Sequence, residues 1–250
     1  MFTIERKLLG INMKQVYFPD PSKIGGVEGG DLVGVTQAVA PIEGCHTIET
    51  LHLDLTQDRE KIFSDMSRTT RRQIRMAEKR YTFTPITIER PTDTQIYEFR
   101  DYYNTFARNK GSYLIRSFNL LTLKKLRDRN KLVLTKMVDE EEEIMAYRAY
   151  ISHEGRAMAL YISTLFRMAD NTDEKRRIGS AHRYLKWCDM TWFKEKGYHT
   201  FDHGGLTNDE GIRNFKLGFG GKVVHEYSGY VPRSVKGRFL VEARKRLVEK

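Results

Sequence analysis

Arg176-Arg177-Ile178-Gly179-Ser180-Ala181 is a basic, glycine-containing stretch that runs into a segment whose apolar residues are Tyr184, Leu185, Cys188, Trp192 and Phe193. That spacing predicts a turn followed by a helix with one apolar stripe. A helix N-terminus presents unpaired backbone N–H groups and the positive end of its dipole, and a glycine lets an anion approach the backbone closely. With Arg176 and Arg177 beside it, the turn suits a phosphate; it reads equally well as an ordinary loop before a helix. Gly197 marks a helix stop, and Tyr198 to Asp202 reads as a short strand. Asp202 precedes His203-Gly204-Gly205, where its carboxylate either takes part in proton transfer or only caps the glycine turn. His203 has no partner visible in the sequence and reads as structural. His182, just inside the expected helix start, is a minor candidate for phosphate contact.

The elements that must hold these residues follow from periodicity. Residues 1 to 56 read as strand and turn, since Gly25, Gly26, Gly29, Gly30 and Gly34 interrupt the apolar residues and Pro19, Pro21 and Pro41 exclude long helices. Residues 46 to 55 alternate as a strand, and Thr56 is a candidate helix N-cap. Tyr81 to Glu89 reads as a strand. A helix capped by Thr92-Asp93 runs through about Arg108, and a second spans Asn119 to Asp128. Leu132 to Val138, Ile144 to Ser152 and Met158 to Ser163 are three strands, the acidic run Asp139 to Glu143 being a hairpin tip in water. Val223 to Val231 is the last strand. The whole reads as a mixed α/β (α+β) fold.

Charge is concentrated. The formal net charge is +10; residues 59 to 80 carry eight Lys or Arg against three acids, and residues 231 to 250 carry seven against two. Both segments read as helices, with apolar faces at Ile62, Phe63, Met66 and Ile74, and at Phe239, Leu240, Ala243 and Leu247. Arg68, Arg71, Arg72, Arg75, Arg244 and Lys245 are therefore candidates for a nucleic-acid backbone, and a solvated face is the plainer alternative. Cys45 and Cys188 lie far apart without a metal-ligand pattern and read as reduced packing residues. No apolar run approaches the ~20 residues that span a bilayer, and Met1 to Gly10 lacks a secretory apolar core, so a soluble cytoplasmic protein is expected.

A resemblance sharpens this reading. Arg176, Gly179 and Ala181 match the pyrophosphate-cradle pattern of the GNAT acyltransferase superfamily, and Asn208, Gly211, Phe215 and Gly218-Phe219 fall on the spacing of its downstream motif, with Gly and Phe where Ala and Tyr are usual. Phe201-Asp202-His203-Gly204-Gly205 and Phe215-Lys216-Leu217-Gly218-Phe219-Gly220-Gly221 resemble the Fem-type branch, aminoacyl-tRNA-dependent peptidyltransferases. The resemblance extends diffusely from about Leu53 to Tyr230. It implies a GNAT-like fold with a central, mostly antiparallel sheet flanked by helices, residues 1–80 being a reduced first module and residues 81–250 the acyltransferase domain.

It also implies chemistry. Arg176, Arg177, Gly179, Ser180, Ala181, Asn208 and Phe215 would bind the donor. Lys216 would hold the tRNA acceptor end and steady developing negative charge, as an ammonium in a partly dry site can. Phe215 has no hydroxyl with which to protonate a departing coenzyme A thiolate. The expected donor is aminoacyl-tRNA and the acceptor the amine of a small peptide or cell-wall precursor, with no metal and no tightly bound cofactor. An acyl-CoA-dependent N-acyltransferase and a non-catalytic RNA-binding module are the alternatives.

Overall fold

The computed structural model describes residues 1–8, 10–20, 22 and 29–248, with side chains through residue 243 apart from Leu8. Contacts divide the chain into two compact units, Met1–Thr50 with Val223–Lys250, and Leu51–Lys222. The boundary thus lies at Thr50/Leu51 and again at Lys222/Val223, away from residue 80. The reason is packing: Ile62, Met66 and Ile74 of the basic segment are buried in the core of the larger unit.

In the smaller unit, β1 (Phe2–Leu8) and β2 (Ile11–Tyr17) form an antiparallel hairpin. Strand β2 runs parallel to β3 (Leu32–Ala38), and β10 (Lys222–Pro232) is antiparallel to β3. The first residues of β4 (Cys45–Asp54) complete the order β1-β2-β3-β10-β4. Val16, Val33, Val35 and Ala38 supply a small core. A helix, α7 (Val235–Val248), ends the chain. Its expected apolar face is only partly formed, since Phe239 stands 77% exposed. The side chains of Arg244, Lys245 and Leu247 lie outside the described residues.

The larger unit holds the sheet order β4-β9-β8-β7-β6-β5, made by the end of β4 with β5 (Thr84–Ile88), β6 (Leu132–Val138), β7 (Ile144–His153), β8 (Arg156–Thr164) and β9 (Thr200–Gly205). From β5 to β8 the pairing is antiparallel; β8 and β9 are parallel. Alternation along β7 sorts the two faces. Ala146 and Tyr150 meet the helix α5 (Thr172–Glu195), which buries Ala181, Leu185, Trp187, Met190 and Phe193. Tyr147 points the other way, onto Phe99 of α3 (Asp93–Lys110), 5.1 Å between ring centroids. Helix α3 starts at a reciprocal cap between Thr92 and Gln95 and stops at Gly111, whose φ of 70° suits glycine. It is followed by α4 (Ser117–Asp128).

The basic segment, read as one helix, forms two: α1 (Arg59–Asp65) and α2 (Arg68–Arg80). Met66 is extended, and the Ser67 side chain accepts the Thr70 amide and caps α2. The acidic tip after β6 is not wholly in water. Asp139 is buried, accepts the amides of Glu141 and Glu143, and pairs with Arg177 at 2.6 Å. Cys45 and Cys188 are free thiols, and burial pushes Cys188 up to about 12.

Candidate active site

Helix α5 begins earlier than its spacing suggests. Asn171 caps it by accepting the amides of Asp173 and Glu174, both of which favour the first turn, and Ile178 and Ala181 extend the buried stripe toward the N-terminus. Gly179 is tolerated inside the helix, at roughly 1 kcal/mol relative to alanine. The expected turn at Arg176 to Ala181 is therefore helical. Backbone N–H groups this far into a helix are spent on carbonyls one turn back, so they offer no anion cradle. Arg176 turns to Asp173 at 3.0 Å, Arg177 is committed to Asp139, and Ala181 is buried. Ser180 shares this helical backbone, and Asn208 is exposed in the loop after β9.

Lys216 is placed quite differently. It lies on α6 (Glu210–Leu217), which Asp209 caps by accepting the Ile212 amide. Its ammonium donates to the carbonyls of Gly204 (3.3 Å) and Gly205 (2.6 Å), the last residues of β9. Shared register between β8 and β9 covers only Arg156–Met158 with Thr200–Asp202. The ammonium therefore fills the hydrogen-bonding positions where the two parallel strands stop pairing. Gly204 makes room for this: its φ is 73°, and a Cβ there would lie 2.7 Å from the Ala159 carbonyl oxygen and 3.8 Å from Lys216 Nζ. Burial holds Lys216 down to about 8; Asp202 pulls it up and Lys110 pushes it down.

Asp202 supports this strand end. Its Oδ1 accepts the Gly204 amide at 2.8 Å, and its Oδ2 pairs with Arg156 Nη2 at 2.5 Å and lies 3.6 Å from His52 Nε2. Burial works to raise its pKa, but the His52 hydrogen bond and the Arg156 charge outweigh burial and hold it well below the usual carboxylate range. A carboxylate so committed is a poor proton acceptor. Of the two roles open in the sequence, the geometry fits the cap on the glycine turn.

Behind Lys216, α5 supplies a cluster that periodicity did not reveal. The His182 ring stacks on Phe215 with centroids 4.5 Å apart, and the Arg183 guanidinium lies 5.3 Å from the same ring. Lys186 is 1% exposed, and its ammonium nitrogen sits 4.6 Å from the Phe219 centroid with no hydrogen-bond partner among the described residues. His203 is fully buried, and neither ring nitrogen has a partner among them. Burial, then repulsion from neighbouring cations, puts both Lys186 and His203 well below their ordinary values. Beneath them Arg148 pairs with Asp189 at 2.7 Å and donates to the His182 carbonyl, while Tyr150 donates to the same carboxylate. The visible signal was charge in the wrong place: Lys186 and Asp189 flank Trp187 and Cys188, and Arg148 interrupts an apolar strand.

Helix α6 also meets the basic helix. The Ser67 amide donates to the Gly218 carbonyl at 2.9 Å, and a Cβ on Gly218 would stand 2.7 Å from Thr70 Oγ1. Arg68, Arg72 and Arg75 are exposed and Arg71 half-buried, and all four line one groove of α2 with Lys79 and Arg80.

This is a GNAT-like, Fem-type fold. It is similar over 96% of this chain and 85% of the other to FemX (11% identity, TM-score 0.63). It is similar over 95% and 85% to the C-terminal domain of a putative lysylphosphatidylglycerol synthetase from Agrobacterium fabrum (13% identity, TM-score 0.58). L-PGS from Bacillus licheniformis is covered to 85% by 99% of this chain (15% identity, TM-score 0.57). No family profile matches the sequence, and no curated protein is similar to it. No described helix is long and apolar enough to cross a membrane.

Proposed function

We propose that this protein is an acyltransferase that forms an amide by moving an aminoacyl group from aminoacyl-tRNA to the amine of a small peptide or cell-wall-precursor acceptor. The observation that carries this reading is the Lys216 ammonium, buried at the point where β8 and β9 part and anchored to the Gly204 and Gly205 carbonyls. A neutral acceptor amine entering between the strand ends attacks the ester carbonyl of the donor. Lys216 then stands beside the tetrahedral oxyanion in a site that excludes most water, where a fixed positive charge is worth far more than in solution. When the intermediate collapses, the ribose oxygen leaves with a proton that the attacking amine has lost. Asp202 acts through Gly204, setting the strand end that holds Lys216.

The arginine face of α2, joined to α6 through Ser67 and Gly218, supports a nucleic-acid carrier. The acyl-CoA alternative loses the backbone cradle that the sequence suggested at Arg176 to Ala181, since that stretch is helical. The test is amide formation with labelled aminoacyl-tRNA against acyl-CoA, over a set of amine acceptors, with Lys216→Met as control. Turnover with tRNA that is lost in the variant supports the reading; turnover with acyl-CoA alone replaces it.

A further inference from the structure

Elsewhere in the larger unit, several guanidinium and ammonium groups that leave solvent find carboxylates. Arg148 has Asp189, Arg156 has Asp202, Arg177 has Asp139 and Lys136 has Glu98. Around Lys216 such pairs are missing from a whole group of cations. Lys110, Arg183 and Lys216, all buried or half-buried, and the exposed Arg167 have no ion pair among the described residues. Bringing like charges together out of water is unfavourable unless a counter-charge arrives. The carboxylates that act on these cations are Asp209, one of whose oxygens already caps α6, and Asp202, which is committed to Arg156.

The four cations come from four elements and can be traced from one to the next. Lys110, at the end of α3, is close enough to Lys216 to repel it and is itself repelled by Arg167, in the 3-10 turn Phe166–Met168. The neighbouring Phe166 faces Gly179 of α5: a Cβ added to Gly179 would stand 3.6 Å from Phe166 Cε2 and 3.8 Å from Arg183 Nη1. Arg183 Nη1 donates to the Gly179 carbonyl at 3.3 Å, and its guanidinium lies on Phe215, the residue before Lys216. Gly179 places no side chain between Phe166 and Arg183. Arg183 spends one N–H on Gly179 and keeps the rest of its planar fork, the geometry that matches phosphate oxygens.

We propose that Lys110, Arg167 and Arg183, ringed with Lys216 around Gly179 and Phe215, form a receptor for the phosphate groups of the acyl carrier. This inference rests on the transferase reading of the Lys216 site. It assigns donor binding to side chains from four elements instead of the backbone of one turn. Phosphate is the shared chemistry of two carriers, the phosphodiester end of a tRNA and the pyrophosphate of coenzyme A.

The experiment is equilibrium titration of the full chain with inorganic pyrophosphate, with an uncharged tRNA acceptor minihelix and with coenzyme A, each over a range of salt. The variants are Lys110→Met, Arg183→Gln and the exposed Arg167→Gln, which leaves the packing of the fold untouched. Each is expected to weaken pyrophosphate binding about 10-fold and to reduce the slope of log affinity against log salt by about one for the true carrier. Whichever of the minihelix and coenzyme A shows the loss names the source of the phosphate. Wild-type affinity and slope in Arg167→Gln and Lys110→Met overturn the receptor. The two readings fail separately: loss of turnover in Lys216→Met with unchanged phosphate binding in the other variants removes the receptor alone. Phosphate bound through these residues without turnover of either donor removes the transferase alone.

Discussion

Replacing Lys216 with methionine separates charge from shape. The folded lysine titrates near 8, against 10.5 unperturbed, so a lysine protonated at pH 7 is held at a penalty of about 3 kcal/mol that the variant avoids. Against this, the Gly204 and Gly205 carbonyls lose their donor, at about 1–3 kcal/mol in all. The two effects nearly cancel, so Lys216→Met should melt within about 4 °C of the parent at pH 7. Turnover should fall by about 10²–10³, the range seen when one preorganised oxyanion donor is removed. The pH dependence carries an independent sign. Between pH 8 and the unfolded value the unfolded chain binds more protons than the folded one, so parental stability rises with pH across that window. The methionine variant should lack that rise. Denaturant melts at several pH values and single-turnover amide formation measure both. Turnover within threefold of the parent, or an unchanged pH slope, refutes the placement of a catalytic ammonium at this strand end.

Other outcomes follow from the same geometry. Gly204→Ala combines a φ of 73° with a 2.7 Å clash on the Ala159 carbonyl, and should destabilise by about 2–4 kcal/mol in chemical denaturation. Asp202→Asn breaks a buried pair and should cost about 3–5 kcal/mol at neutral pH. Because the folded carboxylate titrates well below its unfolded value, the parent keeps this contribution above pH ~4 and loses it as pH falls, so the acid-melting curves of parent and variant should converge. Arg68→Gln with Arg72→Gln, both solvent-exposed, should leave melting unchanged and lower the salt slope of tRNA binding by about two; an unaltered slope removes α2 from the nucleic-acid surface.

Lys216 can be held at a strand end because three neighbours fix the piece of chain that carries it. Asp202 pins the Gly204 amide, Ser67 takes the Gly218 carbonyl, and Gly220 and Gly221 turn with φ of 80° and 103°. A Cβ on Gly221 would stand 2.7 Å from the His52 carbonyl oxygen, so α6 is followed at once by a close approach to β4. The glycines of the Phe215 to Gly221 run thus serve packing around the lysine.

The parts of this arrangement that were legible in the sequence are those set by local periodicity and turn chemistry. Thr92-Asp93 announces α3, and the strand patterns on either side of the acidic run give β6 and β7. Phe215-Lys216 was visible as a motif, and its lysine is indeed the buried one. The turn at Arg176 to Ala181 misled for a specific reason. Gly179 and two arginines look like a phosphate loop in one dimension, whereas Asn171 and the stripe through Ile178 and Ala181 bury the same residues on a helix, and tertiary packing outweighs the small penalty of one glycine. The cations round Lys216 were illegible for a different reason. Lys110, Arg167 and Arg183 are unremarkable on their own elements, and only the crossing of α3, the 3-10 turn, α5 and α6 reveals that they gather without an ion pair among the described residues. Charge read along a chain counts residues. Charge read in the fold counts missing partners, and the missing partner is what points to an anionic ligand.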